Sequence, residues 1–169
     1  KIIKANMHID DGPLTDASLR SKARRMHAQH GIRLIVIDYL QLMTSAGSGR
    51  SDSRVNEVSR ISNAIKSIAK ELRVPVIVLS QLNRKVEERG NADGPRLSDL
   101  RDSGAIEQDC DLCLMLHRPN PESDIHELKL MKNRNGPVGY VELEFNRKHY
   151  KFHTPIYGGI KEEKNGVEQ

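Results

Sequence analysis

At 169 residues the chain is long enough for one domain with a substantial core and too short for two of ordinary size. Lys and Arg total 27 against 23 for Asp and Glu, giving a net charge of +4, which permits an anionic partner without requiring one. With two cysteines, no apolar run long enough to cross a bilayer and no basic-then-apolar leader, neither a disulfide framework, a membrane-spanning helix nor a signal peptide is expected, and a reducing, cytoplasmic compartment fits best.

The opening Lys1-Ile2-Ile3-Lys4-Ala5-Asn6 looks like a chain already under way, so the sequence is expected to be a fragment. Asp10-Asp11-Gly12-Pro13 is a turn, and Thr15 offers an N-cap for a helix with Leu19, Ala23 and Met26 on one side and Arg20, Lys22, Arg24 and Arg25 on the other. That helix ends near His30-Gly31. The run Leu34-Ile35-Val36-Ile37 follows, apolar at consecutive positions, which specifies a strand covered on both faces as in a parallel sheet. Asp38 stands at its carboxyl end, where open α/β sheets bind ligands. Two readings of Asp38 stand open from this run: a carboxylate that holds Mg²⁺ through water, or a turn-forming acid.

Thr44 to Ser51 is Gly/Ser-rich and is expected to be mobile. From Ser53 to Leu72 the residues Val55, Val58, Ile61, Ile65, Ile68 and Leu72 recur at helical spacing, and Val74 to Leu79 is a second β-branched strand. The strand–helix–strand order specifies right-handed βαβ crossovers and a parallel sheet. Gln81, just past the second strand, is expected beside Asp38 at the same sheet edge.

Asn83 to Asp99 is polar and reads as a loop with some helix, and Asp109 to His117 as a further strand. On a strand, Cys110 and Cys113 would face opposite sides, so this lone CxxC is read as structural rather than as a metal site. Leu128 to Lys132, Gly139 to Phe145 and Tyr150 to His153 are expected to form short antiparallel strands. Residues 156–169 are expected to be a disordered tail after a domain spanning 1–155. Lys132 and Arg134, two apart on a strand, leave the same face; they suit a phosphate clamp or, equally, a solvated edge guarded by cations.

Four segments together resemble the carboxyl-terminal motor domain of the replicative DNA helicases of the DnaB family. They are Ile37-Asp38-Tyr39-Leu40-Gln41-Leu42-Met43, Ser80-Gln81-Leu82-Asn83-Arg84, Ser98-Asp99-Leu100-Arg101-Asp102-Ser103-Gly104-Ala105-Ile106-Glu107-Gln108-Asp109, and Lys132-Asn133-Arg134-Asn135-Gly136-Pro137-Val138-Gly139. The resemblance covers about Asp10 to Phe152. It implies a RecA-like α/β fold: a mostly parallel central sheet flanked by helices, with a carboxyl-terminal antiparallel extension. It further implies a ring of six that uses ATP and Mg²⁺ to move on single-stranded DNA, with primase and a helicase loader as partners.

By the same resemblance Asp38 is the Walker B acid, Gln81 senses the γ-phosphate, and Arg134 is the arginine finger, with Lys132 its companion, reaching into the neighbouring subunit's site. Arg101, Asp102 and Gly104 belong to the loop that grips the DNA backbone. Arg50, in the Gly/Ser-rich stretch, is a weaker candidate for facing the channel. Aromatic residues make up 4% of the chain and there is no Trp, which favours a backbone-tracking, salt-sensitive grip over base stacking.

No GxxxxGK[ST] phosphate loop occurs in the 169 residues, so a complete ATP site is not expected and the isolated chain is expected to be inactive. A catalytically dead remnant that binds DNA or joins a ring is the alternative. A RecA-like ATPase of recombination or signalling is a third reading, opposed by the Arg101 to Asp109 segment.

Overall fold

The computed structural model describes residues 6–45, 53–83, 86, 94–155 and 161–162, with 101–103 and 161–162 described through their backbone alone. The chain divides into two compact units, Lys1–Ser80 and Gln81–Gln169.

In the first unit, α1 spans Asp16–His30. Its first turn is closed by a reciprocal pair: the Thr15 hydroxyl accepts from the Ser18 N–H and the Ser18 hydroxyl accepts from the Thr15 N–H, at 3.0 and 2.8 Å. A cap of this kind contributes about 1 kcal/mol. Gly31 ends the helix at φ 60°, a left-handed conformation that glycine adopts without a Cβ penalty. The strand β1 is Ile35–Ile37, α2 is Arg54–Leu72 and β2 is Val76–Val78, with β1 and β2 parallel and Ile37 opposite Val78. The helix α2 buries Val58, Ile61, Ile65 and Ile68 of the apolar stripe read from the sequence, while Val55 is exposed and Leu72 half-buried, and it lies against α1, which buries Leu19 and Ala23. Part of the basic face of α1 is neutralised in place. Arg24 makes a bidentate pair with Glu71 of α2, which raises the guanidinium's pKa and lowers that of the carboxyl, and Lys22 pairs with Asp10.

Two expectations for this unit are corrected. The β1 run is not covered on both sides: Leu34 is 49% and Val36 57% exposed, as are Ile77 at 53% and Leu79 at 44%, while Ile37 is buried. Alternate side chains of a strand leave opposite faces, and the face that carries Leu34, Val36, Ile77 and Leu79 is left open. Thr44 and Ser45, assigned to a mobile stretch, are held fast. Thr44 bridges to Thr15, and Ser45 is buried, its N–H donating to Glu57, its hydroxyl donating to Asp16 and accepting from Arg60. Residues 46–51 of that stretch, Arg50 among them, lie outside the described residues.

The second unit carries a 3-10 segment over Leu97–Ser103, kinked at Leu100, that runs directly into α3, Gly104–Asp109. The strands β3 (Leu112–His117), β4 (Ile125–Asn133), β5 (Gly139–Asn146) and β6 (Lys151–His153) form an antiparallel sheet in that order, and β7 (Lys161–Glu162) pairs with β5. Residues 161 and 162, read as part of a tail, are thus strand; the rest of 156–169 lies outside the described residues. Among the described residues the parallel part of the fold is the single pair β1–β2, and the antiparallel extension is the larger sheet.

The segment read as a strand from Asp109 begins instead as the end of α3, and strand geometry starts only at Leu112. Cys110 therefore lies off the strand, and the two cysteines do not face apart. The Cys113 thiol hydrogen-bonds Cys110 and, with help from the charge of Lys132, lowers the Cys110 pKa to about 7, while Cys113 is pushed up. No group of three or more metal-ligating side chains occurs among the described residues.

Candidate active site

Asp38 lies in the first unit. The β1–β2 ladder continues past the strands themselves, with the Leu79 N–H donating to the Ile37 carbonyl and the Leu40 N–H to the Leu79 carbonyl, both at 2.9 Å. Asp38 sits between these two bonds, at the carboxyl end of a strand whose neighbour is parallel to it, with its side chain exposed. The peptide joining Asp38 to Tyr39 is cis. Immediately after it, Leu40–Leu42 turns as a 3-10 helix anchored by buried Leu40 and Met43. The Gln41 amide donates to the Ser80 hydroxyl at 3.0 Å, tying the two strand ends together, and Arg54 donates to the Gln41 carbonyl at 2.9 Å. A strand end held from both sides presents its carboxylate at low entropic cost, and an exposed carboxylate suits a Mg²⁺ that keeps several waters. Gln81, also exposed, is the first residue of the second unit.

The two cations lie in the second unit and are described within it. Lys132 lies in β4, and Arg134 is one residue past its end, at the start of the turn. Their side chains converge. The Lys132 ammonium donates to the carbonyls of Glu107 and Gln108, and the Arg134 guanidinium donates to the Gln108 carbonyl at 3.3 Å. These oxygens belong to the last turn of α3, where carbonyls have no intrahelical donor. Arg134 also pairs with Asp111 at 3.2 Å, and its N–H donates to the Asp111 carbonyl at 2.9 Å, extending the β3–β4 ladder by one bond. Cys113 stands opposite Lys132 in that ladder.

Of the residues assigned to a DNA loop, Arg101 and Asp102 are in the 3-10 segment, and their side chains lie outside what is described. Gly104 opens α3 in right-handed helical conformation, φ −48° and ψ −27°, and a Cβ there would meet nothing within 4 Å. Neither backbone conformation nor packing therefore requires glycine at this position. Asp111 and the α3 carbonyls were not legible as site groups. An acid one residue before the apolar run of β3 was the available signal, and it gained meaning only once the register set it opposite Arg134.

The chain matches the sequence profile of the DnaB-like helicase C terminal domain over residues 1–154. It is 46% identical over 159 residues to the replicative DNA helicase DnaB of Leifsonia xyli subsp. xyli, covering 90% of this chain and 34% of that protein. It is 48% identical over 156 residues to that of Geobacillus stearothermophilus, covering 88% and 34%. The chain thus spans about a third of the length of these relatives. Among solved structures, one ATPase domain superposes with a TM-score of 0.74 at 39% identity, covering 84% of this chain and 52% of that one. A DnaB-like replicative helicase, solved in a study of its interactions with primase, gives 0.74 at 41% identity, covering 85% and 36%. The chain belongs to the DnaB-like helicase C-terminal domain family and has its RecA-like ATPase fold.

Proposed function

We propose that the chain is the carboxyl-terminal part of a hexameric replicative helicase that translocates on single-stranded DNA and unwinds duplex DNA with ATP. The family match over residues 1–154, with the quoted segments in place, is the observation that carries this reading. In it, Asp38 holds Mg²⁺ through water and Gln81 senses the γ-phosphate. Mg²⁺, when bound, would neutralise charge on the nucleotide's phosphates. Lys132 and Arg134 reach the γ-phosphate held by the neighbouring subunit, which makes hydrolysis depend on ring assembly. Arg101, Asp102 and Gly104 track the DNA backbone with no base readout, and Arg50 is a further candidate for the channel.

Primase and a helicase loader act as partners of the whole protein, in the cytoplasm; no helix among the described residues is long and apolar enough to cross a membrane. The isolated chain, lacking a phosphate loop, neither hydrolyses ATP appreciably nor unwinds DNA. The test is DNA-stimulated ATP hydrolysis and strand displacement by the natural full-length protein. Both are expected and both should be lost in Asp38→Asn, with single-stranded DNA binding retained. A full-length protein that binds DNA but hydrolyses nothing would establish the remnant reading instead.

A further inference from the structure

Lys132 and Arg134 are the two cations the proposed mechanism sends to a neighbour's phosphate, yet within the unit they already have a common seat. Its floor is the last turn of α3, where the carbonyls of Glu107 and Gln108 accept from Lys132 and that of Gln108 accepts also from Arg134. Its wall is Asp111, which pairs with Arg134 and accepts the Arg134 backbone N–H. The side chains of Arg134 and Asp111 are 50% and 55% exposed, so their pair is a weak one that defines direction without locking the guanidinium away from a phosphate. The seat is also continuous with residues 101–103, the part of the 3-10 segment beyond its kink at Leu100, because α3 follows them without a break and is too short to absorb a shift along its length.

We propose that Asp111, together with the carboxyl end of α3, is a positioning element for Arg134 and Lys132, and that it relays movement of residues 101–104 to them. The inference rests on the reading of Arg134 as a trans-acting finger. Asp111 touches neither nucleotide nor DNA; it acts through the guanidinium. Removing its carboxylate leaves Arg134 with one carbonyl acceptor and a wider range of orientations, and loss of aim costs rate rather than ground-state affinity.

The experiment uses the natural full-length protein, with steady-state ATP hydrolysis measured with and without single-stranded DNA. Asp111→Ala should lower kcat at least about tenfold while the KM for ATP stays within about twofold, and should reduce the stimulation by DNA. Asp111→Asn, which keeps one acceptor oxygen, should recover part of kcat; it also serves as the readout if the alanine variant folds poorly. The double variant Asp111→Ala/Arg134→Ala should be no slower than Arg134→Ala alone, because the two act as a unit. If Arg134→Ala retains hydrolysis, the finger reading itself fails and the positioning role falls with it. If Arg134→Ala is inactive but both Asp111 variants keep wild-type kcat and DNA stimulation, or change KM alone, the positioning role is overturned and the finger stands.

Discussion

Replacing Arg134 by alanine separates a catalytic cation from a structural one, because the two costs differ in size. Within the folded unit the side chain makes one exposed ion pair, to Asp111 at 3.2 Å, and one hydrogen bond, to the Gln108 carbonyl at 3.3 Å. An exposed pair is worth about 0–1 kcal/mol and a hydrogen bond about 0.5–1.5 kcal/mol, and water takes up much of both when the side chain is removed. Stability should therefore fall by no more than about 2 kcal/mol. A guanidinium that neutralises charge developing on a transferred phosphoryl group is worth about 10³ to 10⁵ in kcat, or about 4–7 kcal/mol. Arg134→Ala in the full-length protein should thus lose ATP hydrolysis by at least about a thousandfold while nucleotide binding, followed with a fluorescent ATP analogue, changes little. A thermal melt checks that the fold survives. Hydrolysis within tenfold of wild type, or loss of nucleotide binding in step with hydrolysis, would refute the assignment and leave Arg134 as a turn residue paired with Asp111.

Further expectations concern the scaffold and the thiols. Ile68→Ala, at a fully buried position of α2, should destabilise by about 2–5 kcal/mol in urea unfolding. Val55→Ala on the same helix, at 45% exposure, should cost under about 0.5 kcal/mol; equal costs would mean the packed face is misassigned. Cys110, with its pKa lowered to about 7, should be alkylated with a rate that rises through that pH rather than through the ordinary value of 9.0. Cys113→Ala removes the hydrogen bond responsible and should move the Cys110 midpoint upward, and an unmoved midpoint read by mass spectrometry would show that the thiol contact is not its cause.

The residues that were legible in the sequence share a local cause. Thr15 and Gly31 mark the ends of α1 by cap chemistry acting over a few residues, and the spacing of Val58, Ile61, Ile65 and Ile68 fixes the buried stripe of α2 through helical periodicity alone. Asp38 could be placed at a strand end because an apolar run stopped there. The matched segments added the family, since the order and spacing of Asp38, Gln81, Arg101, Lys132 and Arg134 belong to the chain and need no coordinates.

Tertiary structure decided what depends on partners distant in sequence. Lys132 and Arg134 meet at the carboxyl end of α3 only because β3 and β4 pair in the register that sets Cys113 opposite Lys132, and no local pattern specifies that register. Cys110 and Cys113 come into contact because α3 runs on to Asp109 and delays the strand, a competition between helix and strand that the apolar run alone leaves unresolved. Whether Val36 and Ile77 are covered is likewise outside the strand's own residues, since burial is a property of what packs on a face and not of the side chains that line it.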